Sequence, residues 1–280
     1  MRWKRILVTT PIIGRCLLMI PRLRIALPYL LVPCVRMLRW LWTSRESTNF
    51  TYHLTSDNLA YLAVVTAAAT ARPVAEIERY FMELQNNNEL REHLIAATRR
   101  SPRNFLADNE IRYARRIGWY AFVRALKPKV VIETGVDKGL GSCVLAAALK
   151  RNAEEGHPGR YYGTDINPDA GYLFSGSYRQ FGEIVYGDSI ASLSAFTEQI
   201  DLFINDSDHS ADYEAREYDT IVSKLSPDAV ILGDNAHCNN RLLDFSSQQG
   251  RQFIFFREVT ADHWYPGAGI GISYLPRKPG

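Results

Sequence analysis

Residues 130–142, with the sequence VVIETGVDKGLGS, decide the fold of this 280-residue chain. An apolar, β-branched run ends at the acidic Glu133, and three glycines follow within the next eight residues. Residues 143–149 are then rich in amino acids that favour helices. This order predicts a buried strand, a tight loop and a helix. Glycines allow the backbone of such a loop to approach a ligand closely, and the following helix offers unpaired N–H groups at its N-terminus.

The same alternation of strand and helix signals continues to the end of the chain. Strands are predicted over residues 130–133, 160–164, 183–186, 201–205, 229–232, 252–259 and 269–275. Alternation of this kind predicts an α/β fold with a parallel sheet between two layers of helices. Upstream, helices are predicted over 59–71, 74–84, 89–98 and 110–126. We therefore divide the chain into an arm (1–45), a helical cap (46–114) and a main domain (115–280).

The arm has nine basic and no acidic side chains, whereas the rest of the chain has 24 basic against 30 acidic ones. Prolines interrupt it, and its longest uncharged run, residues 25–35, is shorter than the about 20 residues that a spanning helix needs. We expect it to lie on a membrane surface, with Trp3, Trp40 and Trp42 as interfacial anchors. The alternative is packing on its own domain or on a partner subunit. Its interrupted apolar runs fit nucleic acid poorly, so we expect no nucleic-acid partner.

The composition is that of a folded protein, with 46% hydrophobic and 22% charged residues. The four cysteines share no close spacing, which predicts neither a zinc site nor a disulfide framework. We expect a cytoplasmic protein that is peripheral on the inner face of the membrane. The sequence leaves the oligomeric state open, and a homo-oligomer is one alternative.

Acidic residues end five consecutive predicted strands: Glu133, Asp165, Asp188, Asp206 with Asp208, and Asp234. Ligands of open α/β sheets bind beyond the carboxyl ends of the strands. Because like charges repel, acids converging there need hydroxyl, cationic or metal partners. A carboxylate such as that of Asp165 can accept hydrogen bonds from both hydroxyls of a ribose. This pattern would serve NAD as well as other nucleoside cofactors.

With these motifs, residues 115–280 resemble the class I S-adenosylmethionine-dependent methyltransferases. The resemblance implies a Rossmann-like, doubly wound, mostly parallel seven-stranded sheet, closed by a hairpin that makes the last strand antiparallel. It also implies that S-adenosylmethionine is held at the first glycine motif, at the acid after the second strand and at the ends of the third and fourth strands. The implied cofactor-binding residues are Glu133, Thr134, Gly135, Gly139, Gly141, Ser142, Asp165, Asp188, Ser189 and Asp206.

The ends of the fourth and fifth predicted strands are similar to those of metal-dependent O-methyltransferases of the catechol, caffeoyl-coenzyme A and antibiotic-sugar types. The resemblance implies that Asp206, Asp234 and Asn235 hold Mg²⁺ or a similar ion, whose preferred ligands are oxygens. Such a cation would stabilise the alkoxide that develops on a hydroxyl acceptor. A nearby base would take the proton, and the two candidates for it are Asp208 and His209.

The expected function is therefore a metal-assisted O-methyltransferase that acts on a hydroxyl of a small molecule, a sugar or a glycolipid. The arm favours an acceptor that is presented by a membrane. One alternative is an NAD-dependent oxidoreductase that modifies sugars, since Glu133 and Asp165 do not separate the two cofactors. Another is a non-catalytic, membrane-associated binding protein with the same fold, although such a protein has no physical need for clustered acids.

Overall fold

The computed structural model describes residues 12–47, 50–108 and 110–276. Its strands are β1 (His53–Leu54), β2 (Val130–Thr134), β3 (Arg160–Asp165), β4 (Gly182–Tyr186), β5 (Ile200–Asn205), β6 (Leu225–Asp234), β7 (Gln252–Arg257), β8 (Thr260–Ala261) and β9 (Gly269–Tyr274). Its helices are α1 (Ile13–Thr43), α2 (Ser56–Thr70), α3 (Val74–Gln85), α4 (Asn88–Arg100), α5 (Arg116–Leu126), α6 (Leu140–Glu154), α7 (Ser189–Ala195), α8 (Ala211–Ile221) and α9 (Arg241–Gln248).

Seven strands form one sheet in the order β4-β3-β2-β5-β6-β9-β7. Strands β2 to β6 are parallel, whereas β9 runs antiparallel to both β6 and β7. The predicted fold class and the closing hairpin are confirmed. The central strand β2 is buried along its whole length, as its apolar sequence requires. Because the parallel strands share one direction and register, their acidic carboxyl ends meet at one rim of the sheet.

Helix α1 contradicts the expectation that prolines interrupt the arm. It is one continuous helix of 31 residues that contains Pro21, Pro28 and Pro33, and its side chains are almost all exposed. Each proline removes one backbone donor, but the leucine, methionine, alanine and arginine residues around them favour the helix. Among the residues that the structure describes, α1 is the one helix long and apolar enough to cross a membrane. Trp3 lies outside the described residues.

The C-terminal end of α1 packs on the rest of the protein. The indole of Trp40 contacts the rings of Phe50 and Trp264, with centroid distances of 5.2 and 5.4 Å. Arg36 lies 3.4 Å from Asp262. This end of the arm therefore follows the alternative expectation of packing on its own domain, whereas Trp42 is 91% exposed.

The cap is tied to the sheet by a side chain that the sequence did not single out. Asn58, near the start of α2, is buried; its amide nitrogen donates to the carbonyl of Arg257 and its oxygen accepts from the N–H of Val259, both at 2.9 Å. The predicted helix over 110–126 begins only at Arg116, because Ala114 has a left-handed backbone with φ of +48°.

Glu133 anchors α6 to the sheet. Its side chain is 1% exposed and accepts hydrogen bonds from the hydroxyls of Tyr161 and Ser142. Helix α6 passes so close that a Cβ at Gly141 would lie 2.1 Å from the Glu133 carboxylate. Burial raises the pKa of Glu133 to about 7, because it outweighs the opposing effect of the hydrogen bond from Tyr161.

This pKa predicts a pH-dependent stability. Because the folded-state pKa lies above the ordinary value of 4.5, protonated Glu133 stabilises the fold at low pH, and this contribution is lost as the pH rises through about 7. Relative to the Glu133→Gln variant, the wild type should lose about 2 kcal/mol of unfolding free energy between pH 5 and pH 8. Urea unfolding at several pH values measures this difference. A Glu78→Gln control on the exposed side of α3 should follow the wild type, and equal slopes for all three proteins would contradict the assignment.

Candidate active site

A cavity of about 470 Å³ opens at the carboxyl ends of β2 to β5. Its lining includes five of the residues predicted to bind the cofactor: Gly135, Asp165, Asp188, Ser189 and Asp206. Ile166 and Tyr213 contribute an aliphatic and an aromatic surface to the same cavity. A cleft of this size with convergent acids and flanking apolar groups has the make-up of a nucleoside site.

Asp165 organises the loop that follows β2. One carboxylate oxygen accepts from the N–H groups of Val136 and Asp137 at 3.0 and 2.9 Å, and the other accepts from Asn167 at 2.8 Å. A carboxylate has about four lone-pair sites, so acceptor capacity remains on the cavity side for a ligand hydroxyl. Asp165 thus lies where the sequence placed it, with a second role in holding the glycine loop.

Backbone conformation explains the glycines of the loop. Gly135 has φ of +81°, and a Cβ there would lie 1.9 Å from the carbonyl oxygen of Asp206. The loop therefore crosses the end of β5 at a distance that only glycine permits. Gly139, with φ of +91°, begins α6, and Gly141 lies against Glu133.

Two groups of predicted cofactor residues lie behind the cavity wall. The side chains of Glu133 and Ser142 bond to each other in the interior, and the Thr134 hydroxyl bonds to buried Glu217 at 3.3 Å. Buried partners thus hold these three side chains away from the cavity, and cofactor binding by Glu133, Thr134 and Ser142 stays a prediction. Gly141 also lies away from the cavity, where it allows α6 to pack against Glu133.

Glu217 is a buried acid that the sequence analysis missed. Its carboxylate accepts hydrogen bonds from Ser189 and Asn205, and from Ser207 at 2.9 Å. Burial raises its pKa. Asp188 caps α7 through the N–H of Ala191 at 2.8 Å, a bond that lowers the pKa of Asp188. These bonds fix the part of the cavity wall at the ends of β4 and β5.

A second cavity, of about 210 Å³, adjoins the first. The two share Gly135, Asp137 and Asp206, so they meet at the carboxyl end of β5. Aromatic rings form one side of the second cavity: Phe50, Tyr52 and Tyr265. Charged and amide side chains form the other: Arg115, Arg116, Asp206, Asp234 and Asn235.

Three carboxylates of the rim converge on one guanidinium. Arg115 donates a hydrogen bond to one oxygen of Asp234, forms an ion pair with the other, and lies 3.6 Å from Glu258 and 3.9 Å from Asp206. Arg116 also lies 3.9 Å from Asp206. Burial and the neighbouring Asp234 raise the pKa of Asp206, and burial raises that of Glu258. Burial raises the pKa of Asp234, but Arg115 together with the hydrogen bond from Asp206 and the charges of His209 and Arg116 outweighs it, so that the pKa is lowered.

Glu258 and Arg115 were missed for different reasons. The predicted strand over 252–259 enclosed Glu258, but β7 ends at Arg257 and runs in the direction of β6, so Glu258 is an acid at a sixth strand end. Arg115 lies just before α5, where the sequence predicted an ordinary helix interior. Nothing local to its sequence indicates that its side chain reaches β6.

The structure changes the predicted metal-ligand set. Ligand atoms of Asp206, His209 and Asp234 lie within 4.8 Å of one another. Asn235 presents its amide nitrogen, not its oxygen, at 3.1 Å from Asp234 and 3.0 Å from Nε2 of His209. Arg115 pairs with Asp234 through a hydrogen bond at Oδ2 and an ion pair at Oδ1, and a carboxylate paired in this way does not fit the three oxygen ligands predicted for Mg²⁺.

The two candidate bases have different surroundings. Asp208 is exposed, accepts from the N–H of Ser210 at 2.9 Å and lines only the larger cavity. His209 is held at Nδ1 by Glu214 at 3.3 Å, and its Nε2 lies 3.8 Å from Asp206. Burial lowers the pKa of His209. The hydrogen bond with Glu214 and the charge of Asp234 raise it by more than burial lowers it, so the net shift of the pKa is upward.

Comparison with known proteins agrees with this geometry. Residues 132–236 match a sequence family described as a methyltransferase domain. Among curated protein sequences, none matches this chain. Solved structures with the same fold include an O-methyltransferase from Bacillus cereus in complex with SAH, at 13% identity and a TM-score of 0.51, with 68% of this chain and 91% of that one covered.

Two further structures have similar values. TomG from Streptomyces achromogenes, an O-methyltransferase involved in tomaymycin synthesis and solved with SAM, has 15% identity and a TM-score of 0.51, with 69% and 92% coverage. Cofactor-bound Rv0187 from MTB has 17% identity and a TM-score of 0.51, with 69% and 92% coverage. At these identities, the structures establish the fold. The match over residues 132–236 adds that this part of the chain is similar to a methyltransferase domain.

Proposed function

We propose that this protein transfers a methyl group from S-adenosylmethionine to a hydroxyl of a membrane-presented small molecule, sugar or glycolipid. The observation that carries the proposal is the pair of adjoining cavities. The larger is lined by the acids expected to bind a nucleoside, and the smaller by aromatic and charged side chains that suit an acceptor. Their shared wall at Gly135 and Asp206 is where a sulfonium methyl and an acceptor oxygen would meet.

In such a transfer, the acceptor oxygen attacks the methyl carbon, the C–S bond breaks and its electron pair stays on sulfur, leaving S-adenosylhomocysteine. The hydroxyl proton must go to a base. We assign this role to His209 rather than to Asp208, because Glu214 orients the imidazole and its Nε2 lies 3.8 Å from Asp206, at the wall that the two cavities share. The Asn235 amide, now 3.0 Å from Nε2, has to turn aside for the proton to reach this nitrogen. With the proton on Nδ1, Nε2 is the basic nitrogen that faces the acid cluster.

The packing at the C-terminal end of α1 supports the proposal that the acceptor comes from a membrane. Trp40 stacks edge-on against Phe50, and Phe50 lies 5.8 Å from the ring of Tyr265. Phe50 and Tyr265 both line the smaller cavity. The exposed apolar helix therefore connects, through one layer of aromatic rings, to the wall of the proposed acceptor site.

The cofactor assignment predicts the effect of Asp165→Ala. The change removes the acceptor for the N–H groups of Val136 and Asp137 and for a ribose hydroxyl. The Kd for S-adenosylhomocysteine in calorimetric titration should rise about 10- to 100-fold. Asp169→Ala, which removes an exposed carboxylate paired with Arg103, should change it less than about twofold. An unchanged Kd for Asp165→Ala, or tighter binding of NAD⁺ than of S-adenosylhomocysteine, would contradict the assignment.

The membrane assignment predicts that the full chain floats with lipid vesicles in a density gradient and that alkaline carbonate releases it. Replacing Leu27 and Leu30, exposed on α1, by Asp should lower the bound fraction about fivefold or more, because charge is costly in an apolar environment. Leu243→Asp, which changes an exposed apolar residue of α9, is the matched control and should leave flotation unchanged. A wild-type protein that stays at the bottom of the gradient would refute membrane contact.

The reaction itself can be followed with methyl-labelled S-adenosylmethionine and vesicles that contain hydroxyl-bearing glycolipids. The transferred label should be stable to alkali, as an ether is, and His209→Ala should reduce the rate about 10²- to 10⁴-fold. His157→Ala, in an exposed turn, is the control and should retain the wild-type rate. Label that alkali removes would indicate a carboxyl acceptor and would contradict hydroxyl methylation.

A further inference from the structure

We propose that the guanidinium of Arg115 is the resident cation of this active site and takes the place of a divalent metal ion. The inference rests on the proposed function, since it concerns the group that faces the acceptor oxygen. It explains why the acids predicted to hold Mg²⁺ are present although their arrangement does not offer a magnesium site.

Contacts on two sides hold the side chain of Arg115 in a fixed position. The residue is 8% exposed, its Nη2 donates a hydrogen bond to Oδ2 of Asp234, and its Nε lies in an ion pair with Oδ1 of the same carboxylate. Its guanidinium also lies 5.9 Å from the centre of the Trp119 ring. A side chain held on these two sides has little freedom to leave.

The two arginines beside the site balance all but one of the negative charges that the surrounding carboxyl groups can carry. Asp206, Asp234 and Glu258 supply three carboxyl groups, and Arg115 and Arg116 supply two fixed positive charges. A divalent ion at Asp234 would have to displace the guanidinium from both carboxylate oxygens. It would also have to turn the Asn235 amide, whose nitrogen now faces Asp234 at 3.1 Å.

Arg115 keeps donor capacity for a ligand. Its Nη1 lies 3.6 Å from Glu258 and its Nη2 lies 3.9 Å from Asp206, both longer than a hydrogen bond. The residue lines the smaller cavity, so these N–H groups can meet an acceptor oxygen there. A guanidinium at that place stabilises the negative charge that develops on the oxygen as its proton leaves, which is the role expected of the metal. Unlike a metal, it cannot be removed by a chelator.

Metal titration of the full chain in detergent, after dialysis against EDTA, tests the proposal without an acceptor. The probe is Mn²⁺ alone, followed by calorimetry and by the electron paramagnetic resonance of free Mn²⁺. The wild type should show no binding tighter than about millimolar. Arg115→Met removes the cation and keeps the bulk, and it should create a Mn²⁺ site at least about tenfold tighter through Asp206, His209 and Asp234. Adding Asp234→Asn should abolish that site.

Arg103→Met, which removes an exposed arginine paired with Asp169, is the matched control and should bind no Mn²⁺. The proposal is overturned if the wild type binds Mn²⁺ at micromolar concentrations and Asp234→Asn removes this binding. It is also overturned if Arg115→Met, folded by circular dichroism, gains no site. Should Arg115→Met fail to fold, the wild-type and Asp234→Asn titrations decide alone. A parallel titration with S-adenosylhomocysteine tests the proposed function separately, because its failure leaves the metal result intact.

Discussion

The carboxylates gathered at the rim of the sheet are held together by Arg115, and the geometry of the site depends on that contact. Asp206, Asp234 and Glu258 come from three different strand ends, and each is largely withdrawn from water. Several buried acids so close together would repel one another and favour protonation. The guanidinium offsets this repulsion from the centre of the group. It also connects α5, on the cap side, to β6 and to the end of β7.

The protein tolerates its other buried acids by different means. Glu217 receives hydroxyl and amide donors from the residues around it, and among the described residues it forms no ion pair with an arginine. Glu133 has only two hydroxyl partners, so burial prevails and its pKa rises to about 7. Burying a carboxylate costs free energy, and the protein offsets this cost in three ways. The rim acids have a paired cation, Glu217 has neutral hydrogen-bond donors, and Glu133 has a bound proton. Only the first leaves positive charge facing the cleft.

The sequence predicted what depends on local pattern. The alternation of apolar runs and helix formers predicted the α/β class, and the glycine spacing located the loop after β2. The closing hairpin was predicted from the family resemblance. Acids at strand ends were found because strand direction places them at one rim. The role of each of these acids could not be predicted from strand direction alone. Whether Glu133 faces a cavity or a helix depends on Tyr161, which lies 28 positions further along the chain.

The errors have the same origin. The prediction that prolines interrupt the arm was wrong. It considered only the backbone hydrogen bond that each proline removes and not the helix-favouring residues around it, and α1 continues through three prolines. The start of α5 was misplaced because Ala114, an ordinary helix former, has a left-handed backbone here. Arg115 was overlooked because its partner Asp234 is 119 positions away. A contact between residues so far apart in the chain produces no periodic pattern in a single sequence, so pattern analysis cannot predict it.

The bond pair at Asn58 has a consequence for how an acceptor can reach the site. If the cap lifted as a hinged lid, Asn58 would part from Arg257 and Val259, and buried polar groups would lose their partners. These bonds therefore oppose a hinged movement of the cap. With the cap in place, an acceptor of the proposed kind would reach the smaller cavity past the rings of Phe50, Tyr52 and Tyr265, so its width at that point would matter.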